Sequence, residues 1–295
     1  MSSLIDKLVD PVLDRYGIPE WTKPYVIRYV KRNPANTVKF AASFIDVKRK
    51  KGEVTSEYIK LPNGLKFRIS HVLHLLNLVF YGEESMARIA ELWLADKSNP
   101  IPSPDYALHF GQMSSSNSKR ARAIKNLIEG LGHKLEKPQE EIVSVFEYVA
   151  GIESWPERIL ATELILRDSY AKSFGLIFYR VFYPVSPEFM RSFGKAFSDS
   201  DSESAWGAVE ARKVIASKAV SEEHMIALTR EVLAKILESI EANMHLASVS
   251  GIENEARLLS DIAIAYPFQN LLQMGVKVDI AKEIKKVKSA VAKRK

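Results

Sequence analysis

Proline placement constrains this chain more than any other feature. Asn99-Pro-Ile-Pro-Ser-Pro104 and Pro184-Val-Ser-Pro187 are strong breakers and Pro138 is a third mark, with long proline-poor intervals around them. Proline lacks the backbone donor and clashes with the preceding turn, so helices start or stop at such marks. The intervals carry a helical rhythm. Leu73, Leu76, Val79 and Phe80 are followed by Met86, Ile89, Ala90, Trp93 and Leu94, close to an i, i+3, i+4, i+7 stripe. This predicts helices over 70–97 and 104–131, the second closed by Gly132, then 140–183 with a kink at Pro156. A further helix is predicted from 188 onward, interrupted by Ser198-Asp-Ser-Asp-Ser202, followed by 222–247, 253–274 and 279–293. Long helices joined by short turns are antiparallel neighbours. The predicted fold class is all-α, with a four-helix bundle over 70–248.

Two additions flank that bundle. Residues 1–69 read as an accessory region cut into short helices by Pro11, Pro19, Pro24 and Pro34. Within it, Tyr58, Ile59 and Leu61, then Pro62-Asn63-Gly64, then Leu65, Phe67 and Ile69 have the alternation and Asn-Gly turn of a β-hairpin. Residues 249–295 read as C-terminal helices with a lysine-rich tail.

Composition removes several chemistries. There is no cysteine, which excludes disulfides, thiolate zinc sites, iron–sulfur clusters and cysteine nucleophiles. Gly-rich phosphate loops, nucleophile elbows, kinase signatures and His-Glu-x-x-His are absent, so hydrolase and nucleotide-dependent classes lose most of their support. The most apolar stretch, 72–81, is broken by His74 and Asn77 and is too short to cross a bilayer. The first residues turn acidic at Asp6 without an apolar run, so no signal peptide is read there and a cytoplasmic location is expected.

Charge is unevenly placed within the net +6. Residues 276–295 hold eight of the 42 Lys+Arg and two of the 36 Asp+Glu, leaving 34 of each elsewhere. A second basic block, from Lys23, ends in Lys48-Arg49-Lys50-Lys51. In the tail, Ile280, Ile284, Val287 and Val291 form a narrow apolar seam, with Lys277, Lys282, Lys285, Lys286, Lys288 and Lys293 around it. Such a helix docks on a partner helix, a membrane surface or nucleic acid, or packs on its own bundle with its lysines solvated. The candidate contact residues are Lys48, Arg49, Lys50, Lys51, Lys285, Lys286 and Lys288.

Counting back from the turns gives a way to match levels across neighbouring helices. Glu84 comes level with 116–119, and Glu163 with 203–210, the second count reaching Gly207. Histidine-bearing pairs at helical spacing are His71/His74, Asp105/His109 and Glu241/His245, each able to contribute to a metal site or merely to hydrogen-bond. Ser221-Glu222-Glu223-His224 reads as a helix-capping turn. Phe174, Phe178, Tyr179, Phe182 and Tyr183 read as core, and Asp168 beside Arg167 and Glu163 as a buried carboxylate pair or an exposed charge.

Three segments together resemble the ferritin-like superfamily over roughly residues 70–215. They are Tyr81-Gly-Glu-Glu-Ser-Met-Ala-Arg88, Ser118-Lys-Arg-Ala-Arg-Ala-Ile-Lys-Asn-Leu-Ile-Glu-Gly-Leu-Gly132 and Ala161-Thr-Glu-Leu-Ile-Leu-Arg-Asp-Ser-Tyr170. The resemblance implies a Glu on each of two helices and Glu-x-x-His on each of the other two, together holding a di-iron or di-manganese centre that activates dioxygen. Carried onto this chain, it marks Glu84, Glu163 and Glu203 as metal ligands. The chain departs from the pattern at both histidines: Ser116-Asn-Ser-Lys119 stands on the second helix, and Glu203-Ser-Ala-Trp206 or Glu210-Ala-Arg-Lys213 on the fourth. Protonated lysine and indole do not ligate.

The expectation is a bundle that kept the fold with a lost or atypical di-metal centre, acting as a scaffold or regulatory component, with iron or manganese as the cofactors it could still hold. An iron or manganese oxidoreductase with an atypical ligand set is the alternative, and nucleic-acid binding through the basic segments a second. A homo-oligomer or a protein partner is expected.

Overall fold

The computed structural model describes residues 53–55, 57–60, 66–171, 200–249 and 253–294. Its framework is an antiparallel pair of long helices, α1 (Ile69–Ala95) and α2 (Pro104–Gly130). Ser114 donates to Glu91 at 2.8 Å and Arg120 to Glu83 at 2.7 Å, so residues rising on one helix meet residues falling on the other. Pro104 stands in the first turn of α2, where a missing N–H costs nothing. At the other end Gly132 adopts φ +80°, and the amides of Gly132 and His133 bond back to Glu129 and Ile128. That pair of bonds satisfies carbonyls the helix end leaves orphaned.

The two halves of this hairpin serve different cores. Around its open end lies an antiparallel sheet of β1 (Glu53–Val54), β2 (Tyr58–Lys60) and β3 (Lys66–Arg68), in that order. Ile59 pairs with Phe67, and both are buried against Val72, Leu76, Ile124 and Ile128. The expected hairpin is therefore present, with β1 as an additional strand; its turn, 61–65, lies outside the described residues. Further along, Ile89, Trp93, Phe110 and Met113 join the larger core. Between the two cores sits a buried polar layer in which Arg120 reaches Glu83 and also Asn117, the latter at 2.7 Å. Buried polar pairs of this kind fix register, because any slip strands them without partners.

The larger core is closed by α3 (Glu140–Ala150), α4 (Trp155–Ile159), a π-helical segment (Leu160–Ala171), α5 (Ser200–Ala216), α6 (Glu222–Ala242), α8 (Glu253–Gln273) and α9 (Ile280–Arg294). A short α7 (Met244–Val249) links α6 to α8. The described chain is thus predominantly helical, and none of its helices is long and apolar enough to cross a membrane.

Three expectations change on contact with the structure. The helix expected over 140–183 stops at Gly151, and Ser154 caps a new helix by accepting from the Glu157 amide. Pro156 then falls in a first turn, where it starts a helix rather than kinking one. From Leu160 the backbone takes the wider π form. Residues 172–199, with the aromatic run and the 184–187 turn, lie outside the described residues, as does the Lys48–Lys51 block. The helix expected over 222–247 breaks at Asn243, whose side chain binds Ser239, Gln139 and His74.

The C-terminal helices are built into the same core. Ile264, Phe268 and Leu271 of α8, then Val276, then Val287 and Val291 of α9 belong to it. Pro267 sits inside α8 and cannot donate to the carbonyl of Ala263 one turn back. Ser169 of the π segment donates its hydroxyl to that carbonyl at 3.1 Å. A defect in one helix is thereby made a tether to another.

Candidate functional site

The π segment is buried on every side from Leu160 to Leu166, which places any polar residue it carries in the interior. Thr162 returns its hydroxyl to the Arg158 carbonyl at 2.8 Å. Glu163 has no such local exit. Its side chain is 0% exposed, and an isolated carboxylate in that position would be strongly disfavoured.

Two partners compensate it. His109 of α2, 2% exposed, brings Nε2 to 2.9 Å from Oε1. An ionised carboxylate only accepts, so with Glu163 charged the donor of this bond is Nε2–H. Arg167, one turn along the π segment and 20% exposed, places a guanidinium nitrogen 2.6 Å from Oε2. These two atoms meet as an ion pair without hydrogen-bond alignment.

α5 forms the wall. Trp206 stacks on the His109 ring at 4.1 Å between centroids, with the planes 25° apart. Gly207, the next residue, leaves the space that the Glu163 carboxylate occupies. One turn on, Glu210 accepts from the Tyr106 hydroxyl at 3.2 Å and pairs with Lys213. Burial, with the nearby Glu210 charge and the bond to it, pushes the Tyr106 hydroxyl up to about 12.

An aromatic chain continues from there. Tyr106 contacts both Trp206 and Trp155 edge-on, and Trp155 and Phe110 both contact Trp93. Arg158 lies over Trp93 and Trp155 at 5.0 and 4.8 Å and reaches Asp96 at 3.0 Å. Hydrogen bonds from Ser98 and Arg158 hold the Asp96 carboxyl down at about 2.

The predicted site residues are placed as follows. Glu84 is exposed on α1, whereas its neighbour Glu83 turns inward to Arg120. Glu163 is the buried carboxylate just described. Glu203 lies on α5, with its side chain outside the described residues. Level matching put Glu163 beside Gly207, and the two are in contact. His109, at helical spacing from Asp105 on its own helix, is paired instead with Glu163 of the π segment. Lys285, Lys286 and Lys288 are exposed on α9.

His74, His71 and His224 lie outside this cluster. His74 binds Asn243 at 2.6 Å and lies 3.8 Å from Glu136. Burial, then the charges of Arg68, His245 and His74, push the His71 imidazole below its ordinary value. His224 is exposed and pairs with Glu157, while its amide bonds to Ser221 in the expected capping turn.

The cluster around Glu163 does not fit a di-metal centre. One carboxylate oxygen receives imidazole, and the other faces a permanently charged guanidinium that has no lone pair to share. Among the described residues, no group of three or more His, Asp or Glu side chains is gathered to hold a metal ion. The arrangement can hold a charge and fix helix register. Fold and site together define a predominantly helical protein organised around a buried carboxylate–imidazole–guanidinium cluster. Compared with models of known families, with curated proteins and with solved structures, the chain matches none.

Proposed function

We propose that this protein is a ferritin-like helical scaffold in which an internal ionic cluster stands where relatives would carry a di-metal centre. The observation that carries this reading is the double occupation of Glu163, by His109 on one oxygen and Arg167 on the other. A guanidinium supplies the positive charge that a metal would bring, but offers no open position for dioxygen or substrate. The protein would then act through what it binds, as a scaffold or regulatory component in a homo-oligomer or with a protein partner, rather than through redox chemistry.

The competing reading is an iron or manganese oxidoreductase with an unusual ligand set. Adding ferrous iron or manganese to the metal-free chain separates the two, with thermal stability and oxygen uptake as readouts. The scaffold reading expects neither to change. A rise in melting temperature that disappears in Glu163→Gln would overturn it, because ligand binding to the native state must stabilise that state.

A further inference from the structure

We propose that the outer face of α9, with Lys277 just before it, is a binding surface for the phosphate backbone of double-stranded nucleic acid. The argument starts from what α9 no longer has available. Val287 and Val291 are buried in the main core, with Ile280 and Ile284 packed against it. Glu283 is buried beside them and held by Arg230 of α6 and by Lys286, each at 2.7 Å. The apolar seam is therefore spent inside the molecule, and no partner helix can use it.

Docking in this orientation turns Lys277, Lys282, Lys285, Lys286, Lys288 and Lys293 outward, and all six are exposed. Lys286 pairs with Glu283, and Lys288 with Asp261 at 2.6 Å. Among the described residues Lys277, Lys282, Lys285 and Lys293 form no ion pair, and they lie in the one segment that carries the chain's excess charge. A helix of fifteen residues is a rigid rod about 22 Å long. Duplex DNA offers roughly one phosphate charge per 1.7 Å of axis, a dense linear complement to that rod.

Other polyanions fit less well. A membrane surface takes up apolar side chains along with cations, yet among the described residues the large exposed apolar ones, Leu92, Leu108, Val209, Val249 and Leu272, all lie off α9. Single strands are gripped by stacking on aromatic rings, and residues 276–295 contain no Phe, Tyr or Trp. Residues 276–293 contain no Arg, Asn or Gln, the side chains that read base edges, so binding is indifferent to sequence.

The test is fluorescence anisotropy of the full chain with a labelled DNA duplex of about 20 base pairs, roughly two helical turns. Four lysines free to replace counterions predict a log–log salt slope of about −4, so affinity falls about a hundredfold between roughly 50 and 200 mM salt. Replacing Lys277, Lys282, Lys285 and Lys293 together by Gln removes most of the slope and weakens low-salt binding about tenfold or more. All four are exposed, and circular dichroism of the variant checks that it folds. Unchanged affinity in the quadruple variant overturns the proposal. So does absence of duplex binding at low salt, or preference for phosphatidylserine vesicles when duplex competes.

Discussion

Gly207 on α5 lies so close to Glu163 on the π segment that a Cβ built there would overlap the carboxylate. The contact brings two backbones together and seals a buried acid from water with no side chain between them. Gly207→Ala must push the acid or the helix aside. The expected loss is about 1–3 kcal/mol, as for other overpacked cores, read from urea denaturation. In a Glu163→Ala background the obstruction is gone, and the same substitution should cost clearly less. Equal costs in the two backgrounds would show that the close approach does not matter.

The Arg167–Glu163 pair makes a second prediction. Removing one member of a buried pair costs about 3–5 kcal/mol, and without Arg167 the buried Glu163 charge keeps only its His109 contact. Arg167→Met should therefore be severely destabilising, whereas Glu163→Gln with Arg167→Met should recover part of the loss. A double variant no more stable than the single one would remove the pair's significance.

Ser169 and Pro267 are coupled through one carbonyl. Ser169→Ala leaves the Ala263 oxygen buried without a donor, an expected loss of about 1–3 kcal/mol. Pro267→Ala restores the helical amide, so Ser169→Ala should then be nearly neutral. Thermal unfolding of the four proteins measures this coupling directly.

Acid should loosen the sheet end of α1 through His71. Its native imidazole is held below the ordinary value of 6.5, first by burial and then by Arg68, His245 and His74. The unfolded chain therefore takes up the proton more readily than the native one. Stability is complete above 6.5 and is lost as the pH falls from there towards the lowered native value. Amide exchange in 66–80, compared on either side of that window, should rise on acidification in the parent and less in His71→Asn.

Much of the scaffold could be read from residue patterns. The ends of α1, α2, α8 and α9 were within reach because Pro104, Gly132 and the apolar stripes mark them chemically. Counting along antiparallel helices brings Glu163 level with Gly207, whereas their close contact is visible only in the structure. The π form of Leu160–Ala171 leaves no such mark, since one extra residue per hydrogen-bonded loop does not disturb the rhythm of a stretch that, over 160–166, is buried on every side. The break after Gly151 is hard to read because Pro156 serves equally as a kink inside one helix or as the first turn of another, and only the Ser154 cap decides. Pairing of His109 with Glu163 depends on how helices rotate against one another. Periodicity on a single helix does not encode that, so it offers only Asp105, one turn away on the same helix, as a neighbour for His109.

Elemental analysis of the chain purified from cells supplied with both iron and manganese tests the central claim most directly. If His109 and Arg167 have taken the place of metals around Glu163, the parent and Glu163→Gln carry the same trace of both elements, far below one ion per chain. Stoichiometric iron or manganese in the parent, lost in Glu163→Gln, would contradict it.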